Sequence, residues 1–476
     1  MSHQLLANLP YPIQQGLKYV YGVFPPRFRY GKVFWDTYNF LQESQWWSRE
    51  KLEEYQMQQL SKLLNHAYEN VPYYRRVFDE RGLRPKDIQD LTDLKKLPYL
   101  TKEIIQENLK DLIARNYSRS KLQHVTTGGS TGIPMGFYSE KGVSESRERA
   151  FMLSLWNRVG FKMGDKCIVL RGNVVRSADT GTFWEYDPAN KHLILSSYHM
   201  TDETLPGYIS KIREIKPDFI QAYPSAITIL ARYIKENNLE PFPTVKALLC
   251  GSENLYSWQR DLLETAFQCR VYSWYGHTEM AALAGECEKS TFYHIQPEYG
   301  IVELIGKDGV NLTSENDVGE IVATGFNNFI LPFIRYKTMD IGAYTAKKCD
   351  CGRKYSLLKK VEGRVQDLVV TKDKRLITLT ALIFAQHFEA FSKVKEMQLV
   401  QEKEGELIVK IVKNSQYSSN SEEEIRSKMQ NAVRFGLNIN FKYINKIPRT
   451  RSGKYRFLIQ KLPIEFDSEK NYDKYA

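Results

Sequence analysis

The chain has no stretch approaching the ~20 consecutive apolar residues that a helix needs to cross a bilayer. Its first residues lack the apolar core of a secretory signal, so the expected location is cytoplasmic. Cysteine is scarce. Six in 476 residues cannot make a disulfide scaffold, and in a reducing compartment they stay thiols. There is no internal repeat and no low-complexity segment, which excludes solenoids and disordered tracts. No nucleic-acid-binding motif is present, and the net charge of +11 is spread rather than blocked. The expected ligands are therefore small anions, not nucleic acid.

A hydrophobic content of 42% and a charged content of 26% make the chain globular, with enough length for a large core and more than one domain. Residues 1–50 are basic, aromatic and interrupted by prolines. They are expected to form an arm packed on the body, and an anionic membrane face is the other reading. Residues 49–70 place apolar residues at helical spacing, and Val71-Pro72 should end that helix. From about residue 164, strand and helix patterns alternate: DKCIVLRG, ETLPGYISKIREIK, DFIQAYP, SAITILARYIKENN, VKALLCGSE, YSWQRDLLETAF and CRVYSWYG. That alternation predicts a parallel sheet flanked by helices.

After Tyr299 the pattern becomes strand-rich, with GIVELI, GEIVATG and LPFIRYKT. Past Gly363-Arg364 a smaller mixed region begins. The expected fold class is α/β. A large N-terminal domain carries a parallel-sheet core and a β-rich subregion, and a small mobile α+β domain follows. The expected divisions are an arm with helices over 1–90, a core domain over 91–366 and the small domain over 367–476.

In parallel sheets ligands sit beyond the carboxyl ends of strands, so RGN, YPS, GSENL and YGHTE are the segments to search. A further stretch, HVTTGGSTGIPMGFY, is rich in hydroxyls and glycine. Gly128, Gly129 and Gly132 let backbone amides turn toward an anion, and Thr126, Thr127, Ser130 and Thr131 add donors. It is neither a P-loop, since no Gly-Lys-Ser/Thr closes it, nor a dinucleotide fingerprint.

Each of these segments alone fits an exposed turn. The order is more specific: the glycine loop, Gly251-Ser252-Glu253-Asn-Leu, Tyr275-Gly276-His-Thr278-Glu279, Arg335-Tyr-Lys-Thr-Met-Asp340, Gly363-Arg364-Val-Gln-Asp367 and Ile447-Pro-Arg-Thr-Arg-Ser-Gly-Lys454. From about Leu91 to Arg456 the chain resembles the adenylate-forming superfamily of acyl-CoA synthetases. Within it the chain looks most like the phenylacetate–CoA ligase branch and, more narrowly, the CapK-type proteins associated with surface polysaccharides. SQWWSREKLEEYQ and HAYENVPYYRRVFDERGL carry the narrower match.

The resemblance implies an ATP-dependent ligase that joins a small carboxylic acid to AMP and then to coenzyme A. The loop would cradle the β- and γ-phosphates. Glu253 would orient the adenine, and Tyr275 would lie against it beside Gly276. Thr278 would touch the α-phosphate and Glu279 would hold Mg²⁺. Asp340 would take the ribose hydroxyls, Arg364 ribose or phosphate, and Lys454 the carboxylate and α-phosphate. Asp367 would be the hinge. The acid pocket would involve Tyr223, Trp274 and Ala281. Two departures stand out: Met135 replaces a frequent lysine, and Thr338-Met339-Asp340 replaces Thr-Gly-Asp.

Cys349 and Cys351 form a Cys-x-Cys pair, with Cys287 and His294 upstream. That spacing is tighter than in common zinc knuckles and by itself leaves open two thiols on a loop. A comparable set in some phenylacetate–CoA ligase relatives implies a structural Zn²⁺ here. Cys167, Cys250 and Cys269 stand in apolar strand contexts and are expected in the core. Two alternatives to the CoA ligase remain: acyl transfer to a non-CoA acceptor in surface-polysaccharide synthesis, and a non-catalytic nucleotide-binding relative. Peripheral membrane contact through the arm and a homodimer are also compatible with the sequence.

Overall fold

The computed structural model describes residues 9–126, 135–173, 175, 181–197, 199–306, 309–364, 368–373, 376–379, 382, 393–432, 436–449 and 456–462. Thr127, Gly128, Gly129, Ser130, Thr131, Gly132, Asp367 and Lys454 lie outside the described residues. Among the described residues no helix is long and apolar enough to cross a membrane.

The N-terminal region is helical. Ser48 caps the helix Arg49–Asn70 by accepting from the Lys51 amide at 3.3 Å, and Glu50 sits in its positive first turn. Leu60, Leu63, Leu64 and Ala67 bury one face. Each of these leucines contributes about 1.5–3 kcal/mol of burial. Val71 then turns extended because Pro72 excludes the helical conformation before it, and Pro72 opens the next helix, Pro72–Glu80.

A short hairpin, β1 (Leu122–Thr126) with β2 (Gly136–Glu140), flanks the glycine loop. The main sheet has twelve strands. They are β3 (Cys167–Leu170), β4 (Trp184–Asp187), β5 (His192–Leu195), β6 (Phe219–Ala222), β7 (Ala247–Gly251), β8 (Arg270–Gly276), β9 (Leu283–Gly285), β10 (Tyr293–Ile295), β11 (Gly300–Ile305), β12 (Val318–Gly325), β13 (Tyr336–Thr345) and β14 (Leu357–Arg364). Their order is 11-12-13-14-10-9-8-7-6-3-5-4.

The centre, 5-3-6-7-8, is parallel. Helices Leu205–Ile215, Pro224–Glu236 and Ser257–Phe267 connect its strands. β6 and β7 are buried at every position, as strands covered on both faces must be. Leu230, Ile227 and Leu263 belong to the core on one face; Phe34, Ala150 and Leu153 from helices Lys32–Ser44 and Ser144–Asn157 belong to the core on the other.

From β8 onward every pairing is antiparallel, so the β-rich subregion is a wing of the same sheet. One expected strand is shifted. LPFIRYKT becomes regular only at Tyr336, because Leu331, Phe333 and Ile334 plug the core as an irregular segment. Arg335 there has φ +49° and donates two bonds to Glu303, at 2.9 and 3.0 Å, and one to the Leu97 carbonyl at 2.7 Å.

Beyond the hairpin β15 (Leu368–Val370) with β16 (Leu376–Thr378), a second sheet holds β17 (Val394–Lys403), β18 (Glu406–Lys413), β19 (Asn438–Tyr443) and β20 (Leu458–Gln460) in the order 19-18-17-20. Ile425 and Met429 of helix Ser419–Ala432 pack on it. It touches the larger body where Arg232 donates to the Val394 carbonyl at 2.9 Å and Lys395 pairs with Asp202 at 2.7 Å.

Arg335→Ala should destabilise the protein by about 3–5 kcal/mol, since it strands the buried Glu303 carboxylate. Chemical denaturation measures this, and Arg335→Met combined with Glu303→Leu should recover much of the loss.

Candidate active site and cysteine–histidine cluster

The parallel strands deliver their carboxyl ends to one edge. Tyr223 follows β6, the turn Ser252-Glu253 follows β7, and Tyr275-Gly276 closes β8. Gly251 faces Trp274 across the β7–β8 register, and a Cβ there would lie 2.3 Å from the indole. Glycine is therefore required for the ring to cross the strand end.

Glu253 accepts from the Ser225 amide at 3.0 Å and the Ser225 hydroxyl at 3.1 Å. Its carboxylate thus caps helix Pro224–Glu236, where the positive end of the helix dipole holds it. The side chain fixes the turn, and Ser252 beside it adopts φ +66°.

On a flat sheet Asp340, on β13, would stand four strands from β8, about 19 Å away. Instead the Tyr275 hydroxyl donates to Asp340 Oδ2 at 2.9 Å. The wing therefore curls back over the edge of the parallel strands. Register shifts between Glu320 and Val322 on β12, and at Ile341/Gly342 and Ala343/Tyr344 on β13, supply bends of the kind such a curl needs. Tyr336 also returns to the site: its hydroxyl donates to Glu279 Oε1 at 2.8 Å, while His277 Nδ1 lies 3.1 Å from Oε2.

Burial raises the Glu279 pKa, but the His277 and Tyr336 contacts outweigh it and hold the carboxyl at about 2. Glu279 is a fixed, ionised carboxylate of the kind a divalent cation accepts. Burial and the Asp340 charge push the Tyr275 phenol far above its usual range, so it stays a donor. Thr278 is exposed beside it.

The remaining expected residues divide. Thr126 ends β1 at the mouth of the glycine loop. Arg364 ends β14, and its backbone pairs with Asp340. Ala281 is fully buried; it packs under Gly300 and Gly325 in the core cluster that also holds Met135. Met135 itself has no exposed surface, so packing occupies the place where the resemblance implied a lysine. Met339 has φ +63°, the conformation that makes glycine usual at this point.

Three contributors escaped sequence reading: Tyr336, Ser225 and Arg171. Arg171 directly follows β3, donates to Ser252 Oγ at 2.8 Å, and sits 5.6 and 5.4 Å from the rings of Tyr223 and Trp274. The signal for it was its place in the RGN segment after a strand.

A second cluster belongs to the wing itself: His294 stands on β10, Cys287 follows β9, and Cys349 and Cys351 lie between β13 and β14. Sγ of Cys287, Cys349 and Cys351 and a ring nitrogen of His294 all lie within 4.8 Å of one another. The Cys287–Cys349 sulfurs are 3.5 Å apart, and Cys351 Sγ is 3.3 Å from His294 Nε2. A tetrahedral zinc with ~2.3 Å bonds needs edges of about 3.8 Å, so these spacings fit one ion. Gly352, at φ +88°, gives the Cys-x-Cys segment its turn. His294 Nδ1 contacts the Phe292 carbonyl at 3.1 Å, leaving Nε2 for the cluster. Burial, then Arg158, lowers the His294 pKa to about 4 and keeps the ring neutral, as a ligand must be. Cys167 and Cys250 are fully buried in the core and Cys269 packs beside it.

Residues 369–461 match the family described as the CapK C-terminal domain. Protein CapK of Staphylococcus aureus is 29% identical over 439 residues, covering 91% of this chain and 94% of that protein. Phenylacetate–coenzyme A ligase of Thermus thermophilus is 24% identical over 336 residues, covering 68% and 73%. The crystal structure of 2-hydroxyisobutyryl-CoA ligase with 2-HIB-AMP superposes with a TM-score of 0.69 at 18% identity, covering 88% of this chain and 93% of that one.

Gly251→Ala should cost about 1–3 kcal/mol by overpacking against Trp274. Denaturation and a shift in tryptophan emission would register the displaced indole; unchanged emission would show that the contact does not fix the ring. With an α/β fold like that of 2-hydroxyisobutyryl-CoA ligase, the chain is a homologue of CapK and of the phenylacetate–coenzyme A ligases.

Proposed function

We propose that the protein activates a small carboxylic acid with ATP and passes the acyl group to coenzyme A. The observation that carries this reading is the paired closure of Tyr275 on Asp340 and Tyr336 on Glu279, which gathers separate motifs at one edge of the parallel strands.

In the first step a carboxylate oxygen attacks the α-phosphorus. The bond from that phosphorus to the bridging oxygen breaks, and pyrophosphate leaves with the electron pair. Amides and hydroxyls of Thr126, Thr127, Gly128, Gly129, Ser130, Thr131 and Gly132 receive the pyrophosphate. Asp340 accepts hydrogen bonds from the ribose hydroxyls, Tyr275 borders the adenine with the Ser252-Glu253 turn, and Thr278 donates to the α-phosphate. Glu279 would hold Mg²⁺, which when bound neutralises charge on the phosphates. Arg364 and Lys454 add cationic donors, and a point charge on a flexible stem suits Lys454. In the second step the coenzyme A thiolate attacks the acyl carbonyl and AMP leaves. Rotation of residues 367–476 about Asp367 would exchange the two steps. Tyr223, Trp274 and Arg171 border the acid.

One observation favours a second acceptor. The CapK match runs through 91% of the chain, whereas the phenylacetate–CoA ligase match covers 68%. A non-CoA nucleophile in surface-polysaccharide synthesis is therefore the alternative for the second step. A panel of acids assayed for pyrophosphate release, with and without coenzyme A, tests both. Release with CoA-dependent thioester is expected. Release without thioester selects the other acceptor, and nucleotide binding with no release on any acid removes the catalytic reading.

Lys454→Ala should lower pyrophosphate exchange by a factor corresponding to about 2–4 kcal/mol of transition-state stabilisation. Exchange near the unsubstituted rate would take Lys454 out of the mechanism.

We assign Cys287, His294, Cys349 and Cys351 to one structural Zn²⁺, whose four protein ligands leave no position for water. Elemental analysis of protein purified without metal-affinity resin should find one zinc per chain. Chelation, or Cys349→Ser, should lower the melting temperature, because the energy of metal binding is also folding energy. Zinc far below one per chain, with all the thiols reactive in the folded protein, rules this out.

A further inference from the structure

The helix Tyr11–Val23 is attached to the body by its polar side. Gln15 donates to Glu185 at 3.1 Å, and Lys18 lies 3.7 Å from the same carboxylate. Gly22 approaches the turn after β4 so closely that a Cβ would meet the Pro188 carbonyl at 2.7 Å. Arg29 donates to the neighbouring Ala189 carbonyl. The opposite face is apolar and points to solvent: Ile13 is 51% exposed, Tyr19 66%, Val20 55% and Val23 71%. Phe24 and Phe28 continue the exposed surface. An ordinary surface helix is oriented the other way. A contiguous apolar face turned outward marks an interaction surface.

Charge selects the occupant. No acidic residue precedes Asp36; of the cations in that stretch Lys18 pairs with Glu185 and Lys32 with Asp36, which leaves Arg27 and Arg29 with no carboxylate partner among the described residues. A second copy of this chain, itself at +11, would bring like charge to the same place. The segment that follows the helix borders a cavity of about 570 Å³ lined by Pro25, Arg27, Trp35, Tyr38, Lys162 and Met163, among others. Two of these are cations. Trp35 Nε1, a buried donor, has no partner among the described residues. Aromatic rings, aliphatic side chains and cations exposed along residues 11–35 match the chemistry of an anionic bilayer surface.

We propose that residues 11–35 dock the protein on an anionic lipid bilayer. The apolar face enters the interface, and a lipid phosphate sits in the cavity between Arg27 and Lys162. The test is sedimentation of the full chain with vesicles of phosphatidylcholine, with and without phosphatidylglycerol. Binding is expected only with phosphatidylglycerol and should weaken as salt rises. Arg27→Ala should weaken it roughly five-fold. Val20→Glu with Val23→Glu should weaken it at least about ten-fold. Both substitutions are exposed, and circular dichroism checks that the fold survives. Absence of binding to anionic vesicles, or binding indifferent to the Val20/Val23 change, overturns the proposal. A lipid-free dimer that dissociates in that variant assigns the face to a second copy and overturns it as well.

Discussion

The change of strand direction at β8 is the constraint on which the site depends. On one side β8 pairs parallel with β7, on the other antiparallel with β9. The parallel side lines up strand ends into an edge where turns are exposed, and the helices between strands leave that edge open. The antiparallel side needs no crossover helices, so the wing is free to bend. The bond from Tyr275 to Asp340, across a span that would be about 19 Å if flat, measures how far it bends. One strand thus supplies both the floor of the site and the root of the wall that closes over it.

That division also separates what the sequence reveals from what it hides. Most of the parallel half was legible: the apolar runs of β3, β6, β7 and β8 and the amphipathic helices between them are local patterns, as is the Val71-Pro72 break among the N-terminal helices, whereas the short strands β4 and β5 were not anticipated. Of the wing, β11, β12 and part of β13 were legible as strands, but β9, β10 and β14 were not, and neither was its surface, because its curvature rests on register shifts and close glycine contacts between residues far apart in the chain. Gly300 and Gly325 read as unremarkable until Ala281 is seen against them. LPFIRYKT shows the same limit. Its apolar residues fit a strand, yet they satisfy burial as a plug because Glu303 takes the Arg335 fork. Arg171, Ser225 and Tyr336 were missed for a related reason. Each lies in a segment the sequence marked, but acts through a partner in a turn far along the chain, Ser252, Glu253 or Glu279, which no local pattern identifies.

The two departures from the family pattern have different physical meanings. At Met135 the side chain belongs to the core, so packing stands where the resemblance led to the expectation of a lysine. At Met339 the backbone, not the side chain, is the constrained feature. A φ of +63° costs a non-glycine residue on the order of 1–3 kcal/mol, and the surrounding sheet holds it there.

Met339 is not isolated in this. Ser252 at +66°, Met280 at +55° and Arg335 at +49° also occupy the left-handed region, and each stands in or beside one of the motifs after β7, β8 and β12. Strain of this kind persists only where neighbours over-determine the conformation, and here they do. Ser252 is held by Arg171, Met280 follows the turn in which its amide donates to the His277 carbonyl at 3.0 Å, and Arg335 is locked by Glu303 and Leu97. The costs are carried by three contacts: the helix cap at Glu253, the buried ion pair and the core beneath Ala281. Relieving the strain at any one turn would therefore free groups at the carboxyl edge of the parallel strands, which is why buried parts of the wing and the exposed turns beside them are held by the same bonds.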